Sequence, residues 1–296
     1  VLGENHFFYG NSLSYLAMLN VAIGDYNKAI LFGNEALAII GNTFGKKHSY
    51  YVMSLSALES YYSLLGNYAE AIRLGTEKLL IQEKMLGIIH PDYASTLNGL
   101  ASYNYYLGNY KEAMRLGIEA LWIRGEVLGK EHPDYASSLG NLANYYNSLG
   151  SYEEALHLGI EALQIQGKVL GKEHPDYATS LSNLANYNSS LGNYSEAIRL
   201  GTEALQIREK VFGKEHPDYA TSLSNLALYN SKLGNYSEAV RLGTEALQIM
   251  EKVFGKEHPD CATSLGNLAN CNYYLGNYSE AIRLGTEALQ IRKKVF

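Results

Sequence analysis

Every proline in the 296-residue chain falls on one spacing: Pro91, Pro133, Pro175, Pro217 and Pro259 lie 42 residues apart. A fixed period of that length marks a repeat architecture and constrains the fold before any other feature does. His6, His48, His90, His132, His174, His216 and His258 keep the same step, and only His157 is out of phase. Three glycine columns begin at Gly3, Gly24 and Gly33 and run to Gly255, Gly276 and Gly285. The chain therefore reads as one array over residues 1–296, with seven copies starting near 6, 48, 90, 132, 174, 216 and 258. The copies from His174 and His216 differ at four positions: Asn186/Leu228, Ser190/Lys232, Ile198/Val240 and Arg208/Met250. Phe7 and Ser49 replace the proline in the first two copies, the kind of drift expected where a repeat meets a different neighbour.

Each copy reads as two helices. In the copy from His174, Pro175 suits the first turn of a helix, where its missing N–H costs nothing. Asp176 beside it favours the helix dipole. Leu181, Leu184, Ala185, Asn188 and Leu191 recur at spacings of three and four, one helical face. Gly192 is a natural left-handed stop. Ser195 is the expected N-cap of a second helix, with Glu196 in its first turn. The spacing predicts helix A over about Pro175–Leu191 and helix B over about Ser195–Phe212. Gly201 stands inside helix B, where glycine costs ~1 kcal/mol relative to alanine. With Ala197 and Ala204 it forms a small-residue seam that lets a neighbouring helix approach closely.

Charge and composition exclude several functions. Lys and Arg total 24 against 30 Asp and Glu, a formal charge of -6. That balance argues against nucleic acid, which wants a basic face. No apolar run reaches the ~20 residues that span a bilayer, so no membrane insertion is expected. No secretory leader opens the sequence, which reads as cytoplasmic. The absence of an initiator Met reads as a fragment or a processed form.

The residues that usually carry chemistry are placed poorly for it. Equivalent histidines in a stacked array sit on the order of 10 Å apart, given helix spacings of 8–10 Å, and cannot converge on one metal. His174-Pro175-Asp176 reads as a turn and helix start, and His157 as part of a solvated helix B face. Cys261 and Cys271 lie ten residues apart on one helix, about 15 Å, too far for a disulfide; both read as small packing substitutes. No nucleophile–base pair, phosphate loop or metal spacing is found, so no catalytic residue, metal or cofactor is assigned, and the chain reads as a non-enzyme. Asn188, Asn193, Asn235 and Asn277 head Asn-X-Ser sequons. They would accept glycans only on an exported, extracellular protein; otherwise Gly-Asn-Tyr is the turn between helices.

The motif Leu184-Ala185, Leu191-Gly192-Asn193-Tyr194, Glu196-Ala197, Ala204-Leu205 resembles the tetratricopeptide repeat family in its longer, 42-residue form. The stretch from Glu209 to Asp218 is similar to kinesin-light-chain-type repeats, and the resemblance covers essentially the whole chain. It implies an all-α solenoid of seven helix pairs, a right-handed superhelix, with A helices lining a concave groove and B helices outside. Departures are the glycine at Gly201, where the family carries a large residue, and Asn104, Asn188, Asn230 and Asn272, where it often carries Tyr. A buried Asn there needs a partner, expected in the equivalent Asn of the next repeat.

On that arrangement the groove of the third copy presents Ser95, Asn98, Ser102, Tyr105 and Tyr106, and that of the fourth Ser137, Gly140, Asn144, Asn147 and Ser148. Later copies add Asn186, Ser189 and Ser190, then Ser224, Leu228 and Lys232, then Gly266, Asn270, Tyr273 and Tyr274. Lys232 is the only charged member, and charges such as Glu196, Arg199, Glu203 and Arg208 sit on helix B. A surface of amides, hydroxyls and tyrosines suits an extended peptide, with Tyr as rigid anchors. The expected contacts are Asn98, Tyr105, Tyr106, Asn144, Asn147, Asn186, Asn270, Tyr273 and Tyr274. The Lys that family members use to clamp an acidic tail is replaced by Gly140, Ser182 and Gly266, which disfavours that ligand. The alternative comes from the ends. Val1 and Val295 share one phase, and no polar cap closes either end, so copies could associate head to tail into a filament. The expected partner is thus a protein or peptide, or a second copy of the chain.

Overall fold

The computed structural model describes residues 7–295. His6, and the shared phase of Val1 and Val295, rest on residues or side chains outside that description. The residues up to Leu149 form one compact unit and those from Gly150 a second. The first contains α1 (Phe7–Ala22), α2 (Tyr26–Phe44), α3 (Ser49–Leu64), α4 (Tyr68–Leu86), α5 (Pro91–Tyr106), α6 (Tyr110–Leu128) and α7 (Pro133–Ser148). The second contains α8 (Tyr152–Val169), α9 (Pro175–Ser190), α10 (Tyr194–Phe212), α11 (Pro217–Leu233), α12 (Tyr236–Phe254), α13 (Pro259–Tyr274) and α14 (Tyr278–Val295). Odd-numbered helices are helix A of a repeat and even-numbered ones helix B. Within each unit every helix packs on the next in the chain. No strand occurs among the described residues.

The A helices start as their sequence dictates. Proline takes the first helical position of α5, α7, α9, α11 and α13. The histidine before it is the N-cap: His174 Nδ1 accepts from the Asp176 N–H at 3.2 Å, and His90, His132, His216 and His258 do the same. This cap satisfies one of the free N–H groups of the first turn. The A helices stop where glycine permits a left-handed residue, as at Gly192 with φ +83°.

The start of helix B differs from expectation. Ser195 is not the cap: α10 begins at Tyr194, and Asn193 occupies the N-cap position. In three repeats the side chain at that position is drawn back to the preceding helix. Asn109, Asn235 and Asn277 each donate their amide to the Oδ1 of Asn104, Asn230 and Asn272, five residues earlier, at 3.2–3.3 Å. Asn67, which follows Tyr62 rather than an asparagine, instead accepts from the Glu70 N–H at 3.2 Å and caps α4. The buried asparagine column therefore finds its partners inside its own repeat, not in the next one as the sequence suggested. Each also donates to the carbonyl four residues back, as Asn188 does to Leu184 at 2.9 Å.

The helix B glycines are contact points. A Cβ on Gly201 would stand 3.0 Å from Leu226 Cδ2, and one on Gly33, Gly75, Gly159 or Gly243 would meet the corresponding leucine at 2.8–3.0 Å. The leucine is always 25 residues ahead, on helix A of the next repeat. Its side chain fills the space a Cβ would take, and buried area of this kind stabilises by about 25 cal/mol per Å². Gly140 is different: nothing lies within 4 Å of a Cβ built on it, and it stands inside α7. Gly140→Ala is expected to stabilise the protein by about 1 kcal/mol, read as a higher urea midpoint.

Candidate functional site

The outward positions of the A helices divide into two groups. One group is spent on holding neighbouring repeats together. Asn141 donates to Asn98 Oδ1 at 3.3 Å, Ser148 to the Tyr105 hydroxyl at 3.2 Å, and Tyr145 Oη lies 3.4 Å from Ser102 Oγ, all between α5 and α7. In the second unit the Tyr229 hydroxyl donates to Asn186 Oδ1 at 2.6 Å, from α11 to α9. These bonds step 43 residues, one repeat plus one position. Asn98 and Asn186 through Oδ1, and Tyr105 through its hydroxyl, are thus half-buried and tied to a neighbouring A helix. Asn144 and Asn147 are half-buried as well, and the Asn147 Oδ1 is buried without a hydrogen-bond partner. Ser189 is buried outright.

The other group is exposed and aromatic. Tyr106 is 62% exposed, Tyr273 58% and Tyr274 57%. Tyr106 stacks on Tyr68 with ring centroids 4.9 Å apart and planes at 14°. Tyr274 stacks on Tyr236 in the same way, at 4.9 Å and 11°. Tyr105 and Tyr273 meet these rings edge-on at 5.6 Å, and each also meets the tyrosine that opens the next helix, Tyr110 or Tyr278. The same constellation is therefore built twice, once in each unit, at the C-terminal end of an A helix. Such ring pairs contribute ~0.5–1.5 kcal/mol each beyond area burial, so the exposed rings are held rigid. In a third repeat Lys232 takes the equivalent place, with its ammonium 5.9 Å from the Tyr194 ring. Asn270 is exposed on α13.

Helix B carries most of the charge, and its exposed part is paired locally. Arg199 bonds Glu196 at 2.7 Å and Glu203 at 3.4 Å. Arg115, Arg241 and Arg283 repeat the clamp. The arginine hydrogen bond holds the Glu112, Glu196 and Glu238 carboxyls below the usual range, against a smaller opposing effect of burial. His157 is exposed on the same side. Pairs this open contribute little to stability.

Arg208, grouped by sequence with those charges, is buried instead. Its Nη1 donates to Ser222 Oγ at 2.6 Å, and Arg124 Nη1 donates to Ser138 Oγ at 2.7 Å. Burial pulls both guanidinium groups below their ordinary values. Arg124 also reaches Ser95 on α5 at 3.3 Å. Sequence reading missed this column, although its signal was present: Gln82, Arg124, Gln166 and Arg208 each precede a hydroxyl residue by 14 positions. It missed a buried ion pair too, Lys78 with Glu59, at 7% and 3% exposure.

Of the four sequons, Asn193, Asn235 and Asn277 are exposed in the turns between helices. Asn188 is buried, with its amide bonded to Leu184, and no glycan can reach it in the folded chain. Cys261 and Cys271 are free thiols, both buried. No helix among the described residues is long and apolar enough to cross a membrane.

A family profile described as tetratricopeptide repeat matches residues 11–84, 92–166, 136–210, 189–252 and 231–294. None of the curated proteins matches the chain by sequence. Among solved structures, the chain is similar to nearly identical TPR-like repeats assigned to a kinesin light chain of Podosopora anserina. The identity is 30%, with 70% of this chain and 98% of that one covered and a TM-score of 0.60. BtubC of P. vanneervenii is 22% identical over 78% of this chain and 90% of its own, at TM-score 0.62. Apo RapI is 17% identical over 97% and 98%, at TM-score 0.72. The last two likenesses concern the fold alone.

Proposed function

The chain belongs to the tetratricopeptide repeat family, and on that premise we propose that it is a non-enzymatic scaffold that binds a protein segment along the A helices. Repeats of this family generally mediate protein–protein interaction. The observation that carries the reading is the doubled tyrosine constellation, Tyr68/Tyr105/Tyr106 and Tyr236/Tyr273/Tyr274. Rigid, exposed tyrosines offer large contact area at low entropic cost, which is how protein-binding surfaces obtain their anchors. Asn270 beside the second constellation supplies an amide for a peptide backbone. Asn98 and Tyr105 contribute indirectly, by tying α5, which carries Tyr106, to α7.

The test uses peptides selected from a random library on the intact chain. Tyr106→Ala, or Tyr273→Ala with Tyr274→Ala, is expected to weaken their binding about tenfold or more, the range of an anchor residue, with helicity unchanged. Affinities that stay level across these variants contradict the assignment.

A second reading, association of copies through α1 and α14, is favoured by one observation. Leu16 on α1 is 43% exposed, whereas the equivalent Leu58 is fully buried against Gly33. Light scattering coupled to size-exclusion chromatography distinguishes the two. Mass that rises with concentration past the dimer supports association; a constant mass near 32.8 kDa removes it.

A further inference from the structure

We infer that the space left by Cys271 on α13 is a binding pocket for a phenyl ring, a site separate from the tyrosine anchors. One position differs between the last repeat and its sisters. Tyr145, Tyr187 and Tyr229 each lay a ring edge on a helix B glycine: Cε2 stands 3.1 Å from a Cβ built on Gly117, 2.9 Å on Gly159 and 3.3 Å on Gly201. In the last repeat the residue in that column is Cys271. The corresponding glycine, Gly243, meets Leu268 at 3.0 Å and then only Ala227 at 3.7 Å, with no ring atom among its nearest neighbours.

Nothing else fills the gap. A cavity of about 60 Å³ opens there between α11, α12 and α13. Gly243, Leu268 and Cys271 line it, and Leu228 stands at its rim, 40% exposed. Shape and chemistry together select the occupant. The walls are those that hold a tyrosine ring in the sister repeats, so a flat six-membered ring fits between them. The phenol's partner is gone: where Asn186 accepts from the Tyr229 hydroxyl, the equivalent residue is the apolar Leu228. An unsubstituted phenyl ring is therefore favoured over a phenol. The Ser224 hydroxyl lies in the wall, buried and without a hydrogen-bond partner, and is available to a polar group attached to the ring. The Cys271 thiol is engaged with Ser231 Oγ at 3.4 Å and acts as wall rather than as a reacting group.

Two sources of the ring share this chemistry, a phenylalanine side chain of a bound protein and a free aromatic molecule. The experiment titrates the intact chain with toluene and with N-acetyl-phenylalaninamide, using N-acetyl-alaninamide as control, and reads saturation-transfer NMR. Toluene is expected to bind, and Cys271→Tyr to weaken it about tenfold or more, because the variant restores the ring found in the sister repeats. Tyr229→Cys is expected to create a second site of the same kind beside Gly201, doubling the stoichiometry. Binding of the phenylalanine amide alongside toluene assigns the pocket to a protein side chain; binding of toluene alone assigns it to free aromatic compounds. No saturable toluene binding, or binding that Cys271→Tyr leaves unchanged, overturns the inference. Either result is independent of the tyrosine variants, because none of those residues lines the pocket.

Discussion

Lys78→Ala is expected to destabilise the first unit by about 3–5 kcal/mol, while Glu59→Ala combined with Lys78→Ala recovers most of that loss. Glu59 sits on α3 and Lys78 on α4, both nearly fully buried and paired with each other. Burial, with the Glu59 charge second, pushes the nearby Tyr103 phenol above its ordinary value. Removing the lysine leaves a buried carboxylate without its counter-charge. Removing both charges leaves two alanines, which is what the other six repeats carry, from Ala17 and Ala36 to Ala269 and Ala288. The pair thus replaces an Ala–Ala combination that the fold accepts everywhere else. A buried ion pair often contributes no more than the apolar residues it displaces, so the double variant should match or exceed the parent. A double-mutant cycle by urea unfolding, with hydrogen exchange in α3–α5 to localise the change, measures the coupling. A double variant as unstable as Lys78→Ala contradicts this account. One consequence of the pair concerns specificity. Among near-identical repeats it is a local mark: α3 and α4 match each other, and α4 set against any other A helix buries an unpaired lysine.

Gly159→Leu is expected to cost about 3 kcal/mol, the upper end of ordinary overpacking, whereas Gly140→Leu, like Gly140→Ala, gains up to about 1 kcal/mol of helix propensity. Both glycines lie within helices. A Cβ on Gly159 would stand 2.9 Å from Leu184 Cδ2 and 2.9 Å from Tyr187 Cε2, two side chains themselves buried between α8 and α9. Neither can withdraw without opening a void elsewhere in a close-packed interior. Gly140 faces open space. Comparison of the two urea midpoints separates helix propensity from packing, because propensity changes alike at both sites. Equal midpoints would mean that the glycine column is not the contact that sets helix spacing.

Most of the fold was legible because its determinants are local and repeated seven times. Pro175, Gly192 and Gly213 fix helix limits through backbone geometry alone, and the 42-residue period multiplies each signal. Ser195 misled because capping preference is judged one residue at a time. The cap position belongs to the turn as a whole: α4 and α10 both open at the tyrosine after an asparagine, Asn67 or Asn193, although Tyr62 stands five places before one and Asn188 before the other. Arg208 misled for a related reason. On a helix face it reads as a solvated charge, yet its guanidinium reaches a serine 14 residues on, across a boundary between repeats.

The surface was legible in outline but not in role. Tyr106, Tyr273 and Tyr274 are exposed on their A helices, whereas Asn98, Tyr105 and Asn186 bond sideways to the next A helix. No periodicity separates the two groups. For Asn98, Tyr105 and Asn186 the position 43 residues ahead offers a donor, Asn141, Ser148 or Tyr229, whereas for Tyr106 it is Leu149. The Cys271 cavity was hidden for the opposite reason. A small residue in a large residue's column reads as repacking until neighbours are seen not to move in.

Hydrogen exchange of the intact chain, with and without a saturating library-selected peptide, tests the central claim most directly. The account expects protection at the C-terminal turns of α5 and α13 and at the starts of α4 and α12, where Tyr106, Tyr274, Tyr68 and Tyr236 stand. Protection confined to the charged faces of the B helices, around Arg115, Arg199 and Arg241, would contradict it.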